Sequence, residues 1–147
     1  MTILPMDKSK LNEYAALYTK VFNGEPWRDS WTMETASMRL AEMMEMPRFM
    51  GMESRIGHRL TGIILGHGEP HFDGVHAQIL EFCVDDAMQG NGIGTALLEH
   101  FCAELERQGI SNVFLLTSRG ERTQGFYANR GFTTAENMVL MSRRLSD

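Results

Sequence analysis

The chain has 147 residues, 43% hydrophobic and 22% charged, with a formal net charge of −5 at pH 7, which suits one compact domain over 1–147 with a real core. The acidic balance, with no Lys/Arg cluster interleaved with aromatics, speaks against nucleic acid; a small cationic partner suits such a field better, and mild acidity also serves plain solubility. No apolar run approaches a membrane span and the N-terminus lacks the pattern of a signal peptide, so no membrane partner and a cytoplasmic location are expected.

Residues 2–6 predict a short strand, after which Asp7 or Ser9 caps a helix. Leu11, Tyr14, Ala15, Tyr18, Val21 and Phe22 follow the i, i+3, i+4, i+7 rule, and this helix ends at Asn23-Gly24. The connection that follows, Glu25-Pro26-Trp27-Arg28-Asp29-Ser30-Trp31, sets two tryptophans and two carboxylates close to a proline. Aromatic faces beside carboxylates bind an organic ammonium, which makes Glu25, Trp27 and Trp31 candidate substrate-binding residues. The alternative is that the tryptophans only pin the loop to the core.

Thr32 then reads as an N-cap with Glu34 in the first turn, and Ala36, Leu40 and Met43 carry a second helix as far as Pro47. Met33, Met38, Met43, Met44, Met46, Met50 and Met52 crowd this region, as a forgiving acceptor pocket or as ordinary core. Residues 48–54 and 60–67 predict a hairpin with Gly57 in the turn. Gly66, Gly68, Pro70, Asp73 and Gly74 are expected to break the chain into a loop before His76 begins the central strand. His67 and His71 fall in that loop without the Glu of the helical zinc-protease motif; they read as solvent-facing, and no metal is expected.

The stretch around which the chain is organised runs from Ile79 to Leu105. An apolar strand (Ile79 to Val84) interrupted by one carboxylate, Glu81, leads through a polar turn to the elbow Gln89-Gly90-Asn91-Gly92-Ile93-Gly94-Thr95. Glycines at alternate positions let backbone N–H groups close on a ligand, and the first turn of the next helix adds unpaired donors and the positive end of its dipole. An anion, phosphate above all, is the natural guest. The plain alternative is a tight strand-to-helix turn. A dinucleotide fingerprint would need its third glycine where Thr95 stands, and a triphosphate loop would need a lysine after Gly94. Ile93, Leu97, Phe101 and Leu105, with Leu98 and Cys102 beside them, form the buried stripe of the helix, and Gly109 stops it. Cys83 and Cys102 read as small buried residues rather than a disulfide framework; no neighbouring His or Lys would depress the Cys83 thiol for catalysis.

Val113 to Thr117 predict a buried strand, Arg122 to Asn129 a short helix closed by Gly131, and 137–144 a last alternating strand. The order is strand, two helices, three strands, helix, strand, helix, strand: an α+β chain with a mixed sheet.

Gln89, Gly92 and Gly94 match the pyrophosphate loop of the GNAT family of N-acetyltransferases: Arg or Gln, two residues, Gly, one residue, Gly or Ala. Phe126, Tyr127, Gly131 and Phe132 match the family's later F-Y-x-x-x-G-F element, at a separation that suits one helix, one strand and a further helix. The second half of the chain therefore resembles this family. The resemblance implies a mixed sheet with splayed central strands flanked by about four helices, and acetyl-CoA as cosubstrate between those strands. Cys83 and Val84 match the positions whose main chain pairs with the pantetheine arm. Gln89, Gly90, Asn91, Gly92, Ile93 and Gly94 match the pyrophosphate cradle, with the Thr95 hydroxyl in support and Phe126 on the cofactor side.

The same resemblance implies direct transfer from thioester to amine. A lysine-like amine has a pKa of about 10 and must lose a proton before it attacks. Glu81 matches the place of a base acting directly or through water, and burial would raise its pKa toward the useful range. The alternative is that Glu81 pairs with an Arg or Lys. Tyr127 matches the tyrosine that protonates the departing sulfur; its alternative is packing beside Phe126. The family's usual Asn before this helix is missing, and Ser118 or Arg122 substitutes. The segment after Phe132 is short, which leaves the acceptor site open, to be completed by Glu25–Trp31 or by a second subunit of a homodimer. The expected activity is acetyl transfer to a primary amine of a small, aminoglycoside- or polyamine-like cation. The alternatives are a protein or peptide amine, and a sensor that binds acetyl-CoA without turnover.

Overall fold

A computed structural model describes residues 1–147, which fall into two compact units, Met1–Leu115 and Leu116–Asp147. The first holds a five-stranded sheet in sequence order. Strand β1 (Thr2–Pro5) pairs antiparallel with β2 (Phe49–Ile56), β2 with β3 (Arg59–His71), and β3 with β4 (Gly74–Val84). Only β5 (Asn112–Leu115) runs parallel to its neighbour, β4. The sheet is therefore mixed, as the order of elements predicted.

Asp7 caps a single 3-10 turn, its Oδ1 accepting the Ser9 N–H at 2.9 Å, and helix α1 (Leu11–Asn23) follows. Helix α2 (Met33–Met44) begins at a capping box in which Thr32 and Thr35 each accept the other's N–H, at 3.0 and 2.9 Å. Their buried stripes, Tyr14, Ala15, Leu17, Tyr18 and Val21 from α1 with Ala36, Leu40 and Met44 from α2, meet Ile63, Leu65 and Cys83 of the sheet in one core. Strand alternation sends Gly62 and Ile64 to the opposite face. There helix α3 (Ile93–Arg107) packs so closely that a Cβ on Gly62 would lie 2.7 Å from Leu97 Cδ1. Of the crowded methionines Met44 is core, whereas Met33 and Met38 are exposed.

Two expectations are corrected. The glycines and proline of 66–74 do not form a loop: β3 continues to His71 and turns directly into β4. A Cβ on Gly66 would meet the Gln78 carbonyl at 2.1 Å and one on Gly68 would meet Val75 at 2.9 Å, so these glycines serve close cross-strand approach. His67 accordingly lies half-buried on β3, and His71 stacks on His76 at 4.3 Å. The second correction concerns 137–144, which form no strand; Met138 to Met141 are 69–84% exposed on both faces. Alternation fits a residue pattern to a strand, but a strand also needs a ladder partner, and the sheet ends at β5.

The ladder that positions the site is the one that stops early. β4 and β5 pair from His76 opposite Asn112 to Ile79 opposite Leu115, while β4 runs on to Val84 along β3 alone. Within the second unit, α4 (Gln124–Ala128) is shorter than expected because Thr123 is engaged in the preceding turn, its Oγ1 donating to the Ser118 carbonyl at 2.6 Å. Gly131, at φ +90°, closes the helix.

Candidate active site

The glycine elbow offers bare backbone. Gly90 and Gly92 sit at φ +86° and +76°, which disfavours any residue with a Cβ, and no atom lies within 4 Å of where a Cβ at either position would stand. Gly92 is the N-cap of α3, and no side chain caps that helix. With no capping side chain at Gly92, the head of the helix has the arrangement that suits an anion. The flanking side chains turn inward instead. Asn91 Nδ2 donates to the Met88 carbonyl at 3.0 Å, and Gln89 Nε2 to the Val84 carbonyl at 3.3 Å and Asp86 Oδ1 at 3.1 Å. Ile93 is buried, leaving its N–H as its means of contact.

The elbow is anchored from behind by Asp85. Its carboxylate accepts from Lys20 Nζ of α1 at 2.7 Å, Arg59 Nη2 of β3 at 2.9 Å and the Ala87 N–H at 3.1 Å. Burial works to raise this carboxyl, and the hydrogen bonds from Lys20, Arg59 and Ala87 outweigh it, holding its pKa at about 2. The Asp85 N–H donates to the Thr61 carbonyl at 2.8 Å. Because antiparallel main-chain groups alternate in direction, that bond also turns the N–H and C=O of Val84 away from β3, toward the side where β5 has already ended.

Glu81 lies upstream on β4, 9% exposed, beneath α1 and α2. Its Oε1 accepts from the Tyr18 hydroxyl at 3.0 Å and from Arg39 Nε at 2.7 Å; neither bond reaches Oε2. Burial raises its pKa; Arg39 and Tyr18 oppose this, the nearby Asp29 charge adds to it, and the net position is above the ordinary carboxylate range. Burial and the Glu81 charge in turn push the Tyr18 hydroxyl up. The Cys83 thiol is likewise raised, by burial first and by the charges of Glu81, Asp86 and Asp85, which suits packing and not nucleophilic attack.

Trp31 joins this cluster. Its ring stands edge-on to Tyr18 at 5.0 Å, the Arg39 guanidinium lies 5.7 Å from its centre, and its Nε1 donates to Asp29 Oδ2 at 3.1 Å. Asn23 fixes it through both main-chain groups, at 2.8 and 2.9 Å. Trp27 is one ring further out, against Phe22 at 5.1 Å and 39% exposed. Glu25 is exposed and ion-paired with Arg28. The structure thus brings Trp31 to Glu81 through Tyr18 and Arg39 and leaves Glu25 at the surface.

Tyr18, Arg39 and Asp29 are site residues that the sequence argument did not single out. Arg39 had a usable signal: it stands next to Leu40 and three residues after Ala36, at the edge of the apolar stripe of α2, where a long cationic side chain can reach a buried carboxylate.

In the second unit Tyr127 lies on α4, half-buried, with ring centres of Phe126 and Phe132 at 5.2 and 5.4 Å. The Phe132 N–H donates back to the Tyr127 carbonyl at 3.1 Å and the Arg130 guanidinium lies 3.8 Å from the Phe126 ring centre, so the F-Y-x-x-x-G-F element is one closed helical cap. Ser118 shares its hydroxyl with Thr123 at 3.0 Å, and Arg122 is exposed.

A family model described as the acetyltransferase (GNAT) family matches residues 12–132. The chain belongs to the GNAT acetyltransferase family. Solved structures agree in fold. A Trypanosoma brucei acetyltransferase is 19% identical, with a TM-score of 0.71 over 97% of this chain and 99% of its own. For a ribosomal-protein-alanine N-acetyltransferase from Brucella melitensis biovar Abortus 2308 the values are 17%, 0.78, 98% and 100%. For an aminoglycoside acetyltransferase from an uncultured soil metagenomic sample, in complex with sisomicin, they are 17%, 0.75, 99% and 96%. No curated protein matches the chain by sequence. GNAT proteins in general use acetyl-CoA, and the open glycine positions, the uncapped head of α3 and the outward N–H of Val84 fit the pyrophosphate and amide arm of such a group. No set of three or more His, Cys, Asp or Glu residues gathers to hold a metal ion, and no helix is long and apolar enough to cross a membrane.

Proposed function

We propose that this GNAT protein is an acetyl-CoA-dependent N-acetyltransferase whose acceptor is the primary amine of a small cation, aminoglycoside- or polyamine-like. The observation that carries the reading is that β4, running past its ladder with β5, bears a buried carboxylate (Glu81) and then ends in a cradle of bare backbone (Gly90 to Gly92). Acetyl-CoA, when bound, supplies an activated acyl thioester. The N–H groups of Gly90 to Gly94 and the Thr95 hydroxyl hold its diphosphate, with Gln89 and Asn91 keeping the elbow in shape. The outward N–H of Val84, next to Cys83 in the β3 ladder, aligns its arm, and Ser118 and Phe126 complete its site.

Glu81 takes a proton from the acceptor ammonium, directly or through water, and its raised pKa makes it a stronger base than an exposed carboxylate. The Tyr127 hydroxyl donates a proton to the departing sulfur. Trp31, with Trp27 and Glu25 outside it, gives the acceptor an aromatic and acidic rim. The test is thiol release from acetyl-CoA across a panel of polyamines, aminoglycosides and peptides. Turnover on the first two classes is expected. Turnover on peptides alone moves the acceptor to proteins, and binding of acetyl-CoA without thiol release makes the chain a sensor. Tyr127→Phe is expected to lower kcat by about ten- to a thousand-fold with acetyl-CoA affinity intact.

A further inference from the structure

Glu81 carries a cation of the protein's own. Arg39 Nε and the Tyr18 hydroxyl converge on Oε1, Trp31 lies beside the guanidinium, and Asp29 is bonded to Trp31. A carboxylate, an aromatic face and a second carboxylate are what an organic ammonium would use, and an arginine already engages the first two. In that pair the carboxylate side chain is 9% exposed and the arginine side chain 43%, so Arg39 forms the solvent side. An ammonium reaching Glu81 would meet a like charge at close range, which is strongly unfavourable away from bulk water. Exchanging one cation for the other keeps the buried carboxylate neutralised throughout, whereas removing Arg39 alone would leave it uncompensated.

We propose that Arg39 is a placeholder for the acceptor: it occupies Glu81 until an amine arrives and then yields that place to the incoming ammonium. The inference rests on the reading of Glu81 as part of the acceptor site, and it makes Arg39 a positioning residue. The groups that face Glu81 are Tyr18 from α1, Arg39 from α2, Asp29 from the connection between them and Cys83 on β4. Its register partner on β3, Leu65, is apolar. Arg39 is thus the one cation among them, and an exposed arginine on a helix surface can leave without unfolding its helix.

The Glu81 carboxyl carbon is followed by NMR through a pH titration in the full chain, with Glu81→Gln identifying the resonance and putrescine as the probe amine. Without putrescine, Arg39→Met is expected to titrate about one pH unit higher than the parent, and Arg39→Lys close to it. Saturating putrescine should bring Arg39→Met back down and leave the parent nearly unmoved, since there one cation replaces another. In turnover, kcat/KM reports the free protein and kcat the amine complex. Arg39→Met should therefore raise the acid limb of kcat/KM, leave that of kcat in place, and lower KM for putrescine by about three- to ten-fold. If both limbs move together, Arg39 stays on Glu81 during binding, and if putrescine leaves the Arg39→Met titration unchanged, the ammonium does not take that place; either result overturns the proposal. The NMR arm needs no turnover, so a protein that passes it yet releases no thiol loses only the acetyl-transfer reading.

Discussion

Two acidic residues on one run of chain, Glu81 in β4 and Asp85 just beyond it, are both nearly removed from solvent and end in opposite states. Glu81 has one cation and one hydroxyl, both on the same oxygen, and sits above the ordinary carboxylate range. Asp85 has two cations on separate oxygens and a main-chain N–H, and is held at about 2. Burial pushes both upward, so the number and charge of the donors decides the outcome. A carboxylate surrounded by donors on both oxygens is a structural tie. One with an oxygen left over and a pKa drawn toward neutrality can take part in proton transfer.

The strongest way to break that contrast is to remove each charge in turn. Glu81→Gln keeps the shape and is expected to lower kcat by about ten- to a thousand-fold, with acetyl-CoA affinity close to that of the parent, read by thiol release and calorimetry. Asp85→Asn should do the reverse. It loses charge-assisted bonds to Lys20 and Arg59, both about half exposed, and should cost about 1–2 kcal/mol, a fall in Tm of about 3–6 °C, with kcat on saturating substrates largely kept. Wild-type turnover in Glu81→Gln would remove the base assignment.

The two groups should also pull stability in opposite directions with pH. Asp85 is depressed in the folded state, so its contribution is present above the unfolded value of about 3.9 and is lost as pH falls toward 2. Glu81 is raised, so its contribution is full below the unfolded value of about 4.3 and is lost as pH rises through the folded one. Chemical denaturation across the acid range should therefore show Asp85→Asn converging on the parent at the lowest pH, while Glu81→Gln departs from it as pH rises. The acid limb of kcat/KM should lie above the ordinary carboxylate range and vanish in Glu81→Gln.

Much of this was legible in the sequence where the signal is local. The α1 stripe from Tyr14 to Val21, the Thr32 cap and the elbow before α3 are each written within a few residues. What was misread needed a partner distant in sequence. Gly66 and Gly68 have the composition of a loop until the carbonyl of Gln78 and the side chain of Val75 come against them. Residues 137–144 have the alternation of a strand without a ladder to join. Glu81 stood out as a lone carboxylate in an apolar run, but its partners, Tyr18 and Arg39, lie 63 and 42 residues away in the chain, and no local pattern pairs either of them with it.

The smallest test separates the elbow from the tie that holds it. Gly92 is in the left-handed region as the N-cap of α3, and space beside it is open, so Gly92→Ala meets no clash within the protein and costs only the backbone penalty, about 1 kcal/mol. If the open side is where a diphosphate approaches, the new methyl group stands in its way, and acetyl-CoA affinity should fall by more than the stability does. Asp85→Asn should weaken affinity in proportion to the loosening of the elbow, because it leaves the bare backbone bare. Equal affinity in Gly92→Ala and the parent, by isothermal calorimetry on folded protein, would mean that the open face of the elbow is not where the cofactor lies, whatever Asp85 does behind it.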